Sequence, residues 1–302
     1  MTLPDPAADA VLLHFDDEAG FAHKLAAATG LRAAAIARHR FPDGELKLTL
    51  PPQLPSTVVL LRSLTPPNDR LIELMITAGA ARTSGARRLV LVAPYLAYMR
   101  QDMAFAPGEA VSQRIVGAWL GATCDAVITV DPHLHRIARL EEAVPARAAV
   151  ALQAAPAIGA FLARQAAGAR WMLLGPDEES APNVSAAAAA AGFDWGVCRK
   201  TRHGDRDVQV VLPERSLAGR HVVLVDDVAS TGHTMMQAAR AVRAAGAVAV
   251  DVAVTHALFV GDALAQLAAA GVGGVWSCDT VPHATNAVSV VELIAESLRG
   301  LR

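Results

Sequence analysis

The chain has 302 residues, room for two domains of ordinary size, and 53% of them are hydrophobic, ample for packed cores. Its formal net charge of -2 gives no pull towards nucleic acid or anionic lipid, so neither is expected as a partner. No run of about 18 residues is free of polar or breaker positions, and the most apolar candidate, 149–163, contains Gln153 and Pro156, so no membrane span is expected.

The N-terminal MTLPDPAADA lacks a basic region followed by an apolar run. No signal peptide is expected, and the cytoplasm is the expected location. Cys124, Cys198 and Cys278 are odd in number and far apart, which points to apolar thiols rather than disulfides or a CxxC metal site. Only three lysines, Lys24, Lys47 and Lys200, stand against 24 arginines, so a lysine retained at a special position carries information.

In chain order, AVLLHF (10–15) reads as a strand and EAGFAHKLAAATG (18–30) as a helix ending on glycine. RAAAIARHRF leads to a turn at Pro42-Asp43-Gly44, and ELKLTL alternates like a half-buried strand. VVLLRSL is a strand, and the helix after it, 68–85, spaces Leu71, Leu74, Met75 and Ala78 as one apolar face. RRLVLVAPY, EAVSQRIVGAWLGA and DAVITVDPH complete a strand and helix alternation. From about residue 150 a second series runs: ALQAAPAIGAFLARQAAG (helix), WMLLGPD (strand), NVSAAAAAAG (helix), then DWGVCRKTR and DVQVVLPE as two strands. HVVLVDD, its helix, AVAVDVAVTHALF, GDALAQLAAAG, GGVWSCDT and VSVVELIAESLRG follow. Strands separated by helix-length segments predict mostly parallel sheets with helices on both faces.

The halves echo each other. LVLVAP pairs with WMLLGP, and VITVD ending at Asp131 pairs with VVLVD ending at Asp226. Pro94 to Asp131 spans 37 residues and Pro176 to Asp226 spans 50. This alignment predicts two copies of one α/β unit, 1–149 and 150–302, with a hairpin around Lys200 inserted in the second alone.

The most specific stretch is HVVLVDDVASTGHT, 221–234. A carboxylate at the end of a buried strand must be hydrated, paired or bound to a cation. Here two, Asp226 and Asp227, precede Ser230-Thr231-Gly232-His233-Thr234 at a helix start, where hydroxyls and backbone N–H groups suit a phosphate dianion. The combination reads as a pentose phosphate site. A P-loop NTPase also has an acidic strand, but it needs GxxxxGK[ST] upstream, and the chain has none.

Residues 222–234 resemble the PRPP-binding signature of phosphoribosyltransferases and ribose-phosphate diphosphokinases (PRPP synthetases). The resemblance to the synthetases spreads over nearly the whole chain. Phe41-Pro42-Asp43-Gly44-Glu45 is similar to their FxDGE turn, and Pro94-Tyr95, Tyr98 and Arg100-Gln101-Asp102 to their PYxxYxRQD. Gly108 to Ser112 follows where their flexible segment gives way to a helix. Asp131-Pro132-His133 stands at their DLH, Pro176-Asp177 at their Pro-Asp, and Lys200-x-Arg202 at the KxR of their catalytic hairpin.

The resemblance implies two similar doubly wound, phosphoribosyltransferase-like domains and transfer of a diphosphoryl group from ATP to ribose 5-phosphate, giving PRPP and AMP. It implies that Asp226 and Asp227 hold the ribose hydroxyls and Ser230, Thr231, Gly232, His233 and Thr234 the 5-phosphate. Lys200 and Arg202 would be the catalytic cations. Arg100, Gln101, Asp102 and His133 would contact ATP, and His133 and Asp177 would organise Mg2+. Phe41, Asp43 and Glu45 would reach the adenine from a neighbouring subunit, which implies a homo-oligomer.

The chain departs from the commoner pattern in several places. Glu178-Glu179-Ser180 replace two glycines, Ser230 replaces an aspartate, His233 stands where a small residue is usual, and Met103 where a basic residue is frequent. The aromatic positions that follow the DLH histidine are absent from LHRIARL. Isolated Asp43-Gly44 is an ordinary hairpin turn, and His135 reads as surface. The alternatives are a phosphoribosyltransferase that uses PRPP, and a non-catalytic synthetase-like regulatory subunit. The first needs no FPDGE, RQD or DPH, and the second has no need of the acidic pair with the charged hairpin.

Overall fold

The computed structural model describes residues 10–203 and 207–301, with side chains described outside 200–209. Two compact units emerge, Met1–Leu152 with Val291–Arg302, and Gln153–Val290. The last helix therefore packs with the first unit, not with the second half to which the sequence boundary at 149/150 assigns it.

The first unit runs β1 (Ala10–His14), α1 (Ala19–Thr29), β2 (Arg32–Ala35), the hairpin β3 (Ala37–Arg40) and β4 (Leu46–Thr49), β5 (Thr57–Leu61), α2 (Pro67–Thr83), β6 (Arg88–Ala93), α3 (Ser112–Thr123), β7 (Ala126–Val130) and β8 (Ala148–Leu152). The second runs α4 (Ala155–Gln165), β9 (Met172–Gly175), α5 (Ala181–Ala191), β10 (Asp194–Val197), the hairpin β11 (Arg199–His203) and β12 (Asp207–Val211), β13 (His221–Ala229), α6 (His233–Ala244), β14 (Ala249–Ala257), α7 (Ala263–Ala269), β15 (Val275–Cys278) and β16 (Asn286–Val288). The chain closes with α8 (Val291–Gly300), which packs on α1 and donates from Arg299 to the Ala28 carbonyl at 2.8 Å.

Each unit holds one six-stranded sheet, in order β2-β1-β5-β6-β7-β8 and β10-β9-β13-β14-β15-β16, with every pairing parallel. The central strands are buried along nearly their full length, as a sheet covered on both faces requires. The order reverses between β1 and β5, and between β9 and β13. Open α/β sheets bind ligands at such reversals, beyond the carboxyl ends of the strands.

The repeat is real, but its halves pair differently from the sequence echo. β9 occupies the place of β1, and β13 the place of β5; β6 and β7, which the echo matched to them, lie two strands further on. Consequently both units carry a two-stranded antiparallel hairpin after their second strand, β3–β4 and β11–β12. The hairpin is a shared feature, not an insertion in one copy. Alanine-rich strands and helices of one periodicity look alike wherever they are slid, which is why the echo misled.

The sheet register makes the equivalence specific. Val58 to Leu60 lie beside Val11 to Leu13, as Val222 to Leu224 lie beside Met172 to Leu174. TVVLLRS thus overlays HVVLVDD, and Arg62 stands where the second unit has Asp226.

Helix α2 is turned from its expected face. Leu74 and Ala78 are buried, but Met75 is 48% exposed, while Glu73 and Thr77 are buried instead. Glu73 is drawn inward because it pairs with Arg62 and Arg38. The cysteines follow expectation: all three are buried, and burial pushes the Cys124 and Cys198 thiols up to about 12. Among the described residues no helix is long and apolar enough to cross a membrane.

Candidate active site

In the second unit the acids gather at the strand-order reversal. Asp226 and Asp227 do not end β13, as the sequence suggested; the strand keeps its pairing with β14 through Ala229. The Asp227 N–H donates to Asp226 Oδ1 at 3.0 Å. Burial first, then the charges of Asp227 and Asp177, push the Asp226 carboxyl well above the usual range. Asp177 lies two residues beyond β9, so the reversal brings together three carboxylates from two strands.

Beyond them Ser230 and Thr231 lead into α6, whose N-cap is Gly232 at φ 71°. Only glycine takes that left-handed backbone without strain. A Cβ there would meet Leu267 and Ala263 at 3.6 to 3.9 Å, ordinary contact, so conformation rather than space selects glycine. His233 and Thr234 are the first two helical residues, and the His233 N–H lies 3.5 Å from Thr231 Oγ1. The first turn of a helix such as α6 presents backbone N–H groups of the kind that suit an anion.

The departure at 178–180 has a structural account. Glu178–Ser180 form a short 3-10 turn in which Ser180 Oγ donates to the Asp177 carbonyl at 2.5 Å. A Cβ on Gly175 would fall 2.1 Å from that hydroxyl, so close approach is kept by Gly175. Glu178 pairs with Arg199 at 3.2 Å, at the start of β11. The Cys198 N–H donates to the Gly175 carbonyl at 2.8 Å, rooting the β11–β12 hairpin beside β9. Lys200 and Arg202 lie on β11 opposite Val210 and Val208, and their side chains fall outside the described residues.

In the first unit, Phe41, Asp43 and Glu45 share the tip of the β3–β4 hairpin. The Phe41 N–H donates to the Glu45 carbonyl at 2.8 Å, and Asp43 Oδ1 accepts the Glu45 N–H at 3.1 Å. Phe41 is 40% exposed and packs edge-on to His39. Arg100 is exposed, and Gln101 donates to the Met103 carbonyl at 2.9 Å. Asp102 is buried and clamps Arg136 through both oxygens, at 2.6 and 2.8 Å. Burial alone would raise its carboxyl, but the Arg136 hydrogen bond and charge outweigh it and hold the group below the usual range. His133 follows β7 in a left-handed conformation, φ 57°, and its Nε2 lies 2.6 Å from His135 Nε2.

His135 is exposed, as the sequence reading has it, but its contact with His133 and the Arg136 clamp on Asp102 are not legible in the sequence. Sequence reasoning also missed an ion cluster built on the buried Arg62, Glu18 and Glu73, with the half-buried Arg38 and Arg70 and the exposed Asp17 around them. An arginine inside the apolar run LLRSL, and three acids just after the first strand, were the available signals. Asp177 lies near enough for its charge to act on Asp226, and Arg136 links Asp102 to the His133 loop. Among the described residues no group of three or more His, Cys, Asp or Glu is gathered to hold a metal ion.

Residues 10–123 match the family model for the N-terminal domain of ribose phosphate pyrophosphokinase, and residues 150–291 the phosphoribosyl transferase domain. A ribose-phosphate pyrophosphokinase from Methanopyrus kandleri is 38% identical over 279 residues, covering 92% of this chain and 94% of that one. The chain belongs to the ribose-phosphate pyrophosphokinase family. The Halobacterium salinarum member is 36% identical over 291 residues, 95% of this chain and 100% of its own. The phosphoribosylpyrophosphate synthetase structure from Mycobacterium smegmatis superposes with a TM-score of 0.82 at 22% identity, over 97% of this chain and 98% of that one. That likeness speaks for the fold: two α/β units with parallel sheets flanked by helices.

Proposed function

We propose that this chain is itself a ribose-phosphate diphosphokinase. The anomeric hydroxyl of ribose 5-phosphate attacks the β-phosphorus of ATP, the bond from that phosphorus to the α-phosphate oxygen breaks, and AMP leaves. The observation that carries the reading is the gathering of Asp177, Asp226 and Asp227 beside the α6 N-terminus, in a chain whose first unit also matches the pyrophosphokinase model. A transferase that only consumes PRPP has no use for that first unit.

Transfer of this kind asks little covalent work of the protein; positioning and charge neutralisation are most of the task. Asp226 and Asp227 accept from the ribose hydroxyls, and Ser230 to Thr234 with the α6 first turn hold the 5-phosphate. Lys200 and Arg202 bring positive charge to the diphosphoryl group in flight. Arg100, Gln101 and His133 contact ATP; Asp102 acts by holding Arg136. Phe41, Asp43 and Glu45 reach the adenine of a neighbouring subunit in a homo-oligomer, a role that suits an exposed ring on a hairpin outside the main sheet.

Mg2+ fits the acids: oxygen ligands suit a hard cation, and a cation would offset the burial and then the repulsion that raise Asp226. Asp177 and His133 are its assigned contacts, and its chemistry is to neutralise the triphosphate. Mg2+ usually keeps several waters and takes substrate phosphates as ligands, and these would complete its shell. The cytoplasm, where ATP is available, is the proposed place of work.

The test is incubation of the pure protein with ATP, magnesium and ribose 5-phosphate. AMP and PRPP should appear together, only when both substrates are present; no AMP at any phosphate or nucleotide concentration sinks the proposal.

A further inference from the structure

The first unit has its own strand-order reversal, between β1 and β5, and it is filled by charge. Arg62, at the place of Asp226, is fully buried. Its guanidinium donates to Glu18 at 2.7 Å, to Asp17 at 3.1 Å and to Glu73. It also stacks 4.2 Å from the centre of the Phe15 ring. The acids that face it come from the turn after β1 and from α2, the elements that supply ligand contacts at the equivalent edge of the second unit. Here they are consumed within the protein.

The cluster continues outward through Arg38 on β3. Arg38 donates to Glu73 at 2.6 Å and to Asp16 at 2.8 Å, and lies 3.6 Å from Asp17. The β3–β4 hairpin forms its own two-stranded sheet, without a backbone ladder to the main one. Its hold on the unit is the Ile36 N–H to the His14 carbonyl at 2.8 Å, the packing of Leu48 and Leu50, Arg40 to Asp69 at 3.3 Å, and Arg38. Among the described residues, Arg38 alone ties the hairpin to a fully buried charge. A charge-assisted pair to a buried, multiply bonded carboxylate is short and directional, which suits it to fixing an angle.

We infer that this filled crevice is an anchor that positions the nucleotide-contacting hairpin, with Arg38, Glu73 and Arg62 as positioning residues for the ATP site. The inference rests on the reading that Phe41, Asp43 and Glu45 contact ATP. In the second unit the reversal binds a ligand; in the first, the same location holds the arm that completes a neighbouring site.

Arg38→Gln removes the fork but keeps a polar side chain at a half-buried position, and Arg38→Lys keeps the charge. For Arg38→Gln the KM for ATP should rise about tenfold, kcat should fall less than about threefold, and the KM for ribose 5-phosphate should stay unchanged. Amide exchange over 37–49 should quicken at least about tenfold while β5 and β6 keep their protection. Arg38→Lys should recover part of both effects. Asp43→Ala and Phe41→Ala at the tip are the control. If they leave the ATP KM unchanged, the nucleotide assignment of the hairpin is wrong, and the inference falls with it. If they raise it while Arg38→Gln does not, the anchor alone is refuted.

Discussion

Arg62→Met is the sharpest test of the buried cluster. Methionine matches much of the arginine stem and cannot pair. Glu73 keeps Arg38 and Arg70 as partners, at 2.6 and 3.1 Å, but among the described residues Glu18 keeps only the Ser63 N–H, at 2.7 Å. Stranding a buried carboxylate in this way costs about 3–5 kcal/mol. At about 2–4 °C per kcal/mol for a unit of this size, melting of the first unit should fall by roughly 6–20 °C at pH 8. The pH dependence has a fixed sign. Burial raises Glu18 from 4.5 to about 7 even with Arg62 beside it. A carboxyl raised in the folded state contributes stability below its unfolded pKa, and that contribution is lost as pH rises through the folded value. The wild type should therefore be more stable at pH 5.5 than at pH 8. The variant, without the arginine that lowers Glu18, should show a larger difference, with at least about half its deficit gone at pH 5.5. Adding Glu18→Gln should recover much of the loss, since the amide oxygen still accepts from Ser63. Calorimetry at the two pH values decides it. A deficit under about 3 °C at pH 8, or one equal at both pH values, refutes the cluster as drawn.

Three further outcomes follow from the second unit. Asp226→Asn keeps an acceptor for the Asp227 N–H but removes one of three crowded charges. Activity should be lost while stability rises by roughly 1–2 kcal/mol, a melting increase of a few degrees; a drop in melting temperature counts against the crowding. Lys200→Ala should lower turnover by about a hundredfold or more with little change in ribose 5-phosphate affinity, and equal losses in both would make the hairpin structural. Gly232→Ala should cost about 1–2 kcal/mol in left-handed strain and raise the KM for ribose 5-phosphate several-fold, and unchanged kinetics would remove the loop from the phosphate site.

Much of this was readable from the residues. Apolar runs such as LVLVA and VITV carry their own strand signal, and DDVASTGHT combines acids, hydroxyls and a helix start in one short segment. What stayed hidden depended on non-local pairing. Periodicity could not show that Glu73 turns inward, because its partner Arg62 comes from another element. Asp102 reads as a substrate contact until Arg136, 34 positions on, is seen to occupy it. The repeat was legible but slipped, since strand order is set by crossovers that local sequence does not record. The second hairpin was legible as two strand-like segments, DWGVCRKTR and DVQVVLPE; of the first, the turn and the strand after it, ELKLTL, were legible.

The central claim is that one chain moves the diphosphoryl group intact from ATP to the sugar. ATP labelled at its β-phosphorus, turned over with ribose 5-phosphate and magnesium, should place all transferred label in the diphosphate of PRPP, with unlabelled AMP formed in equal amount. Label recovered as ADP, or as free diphosphate with no PRPP, would contradict the account.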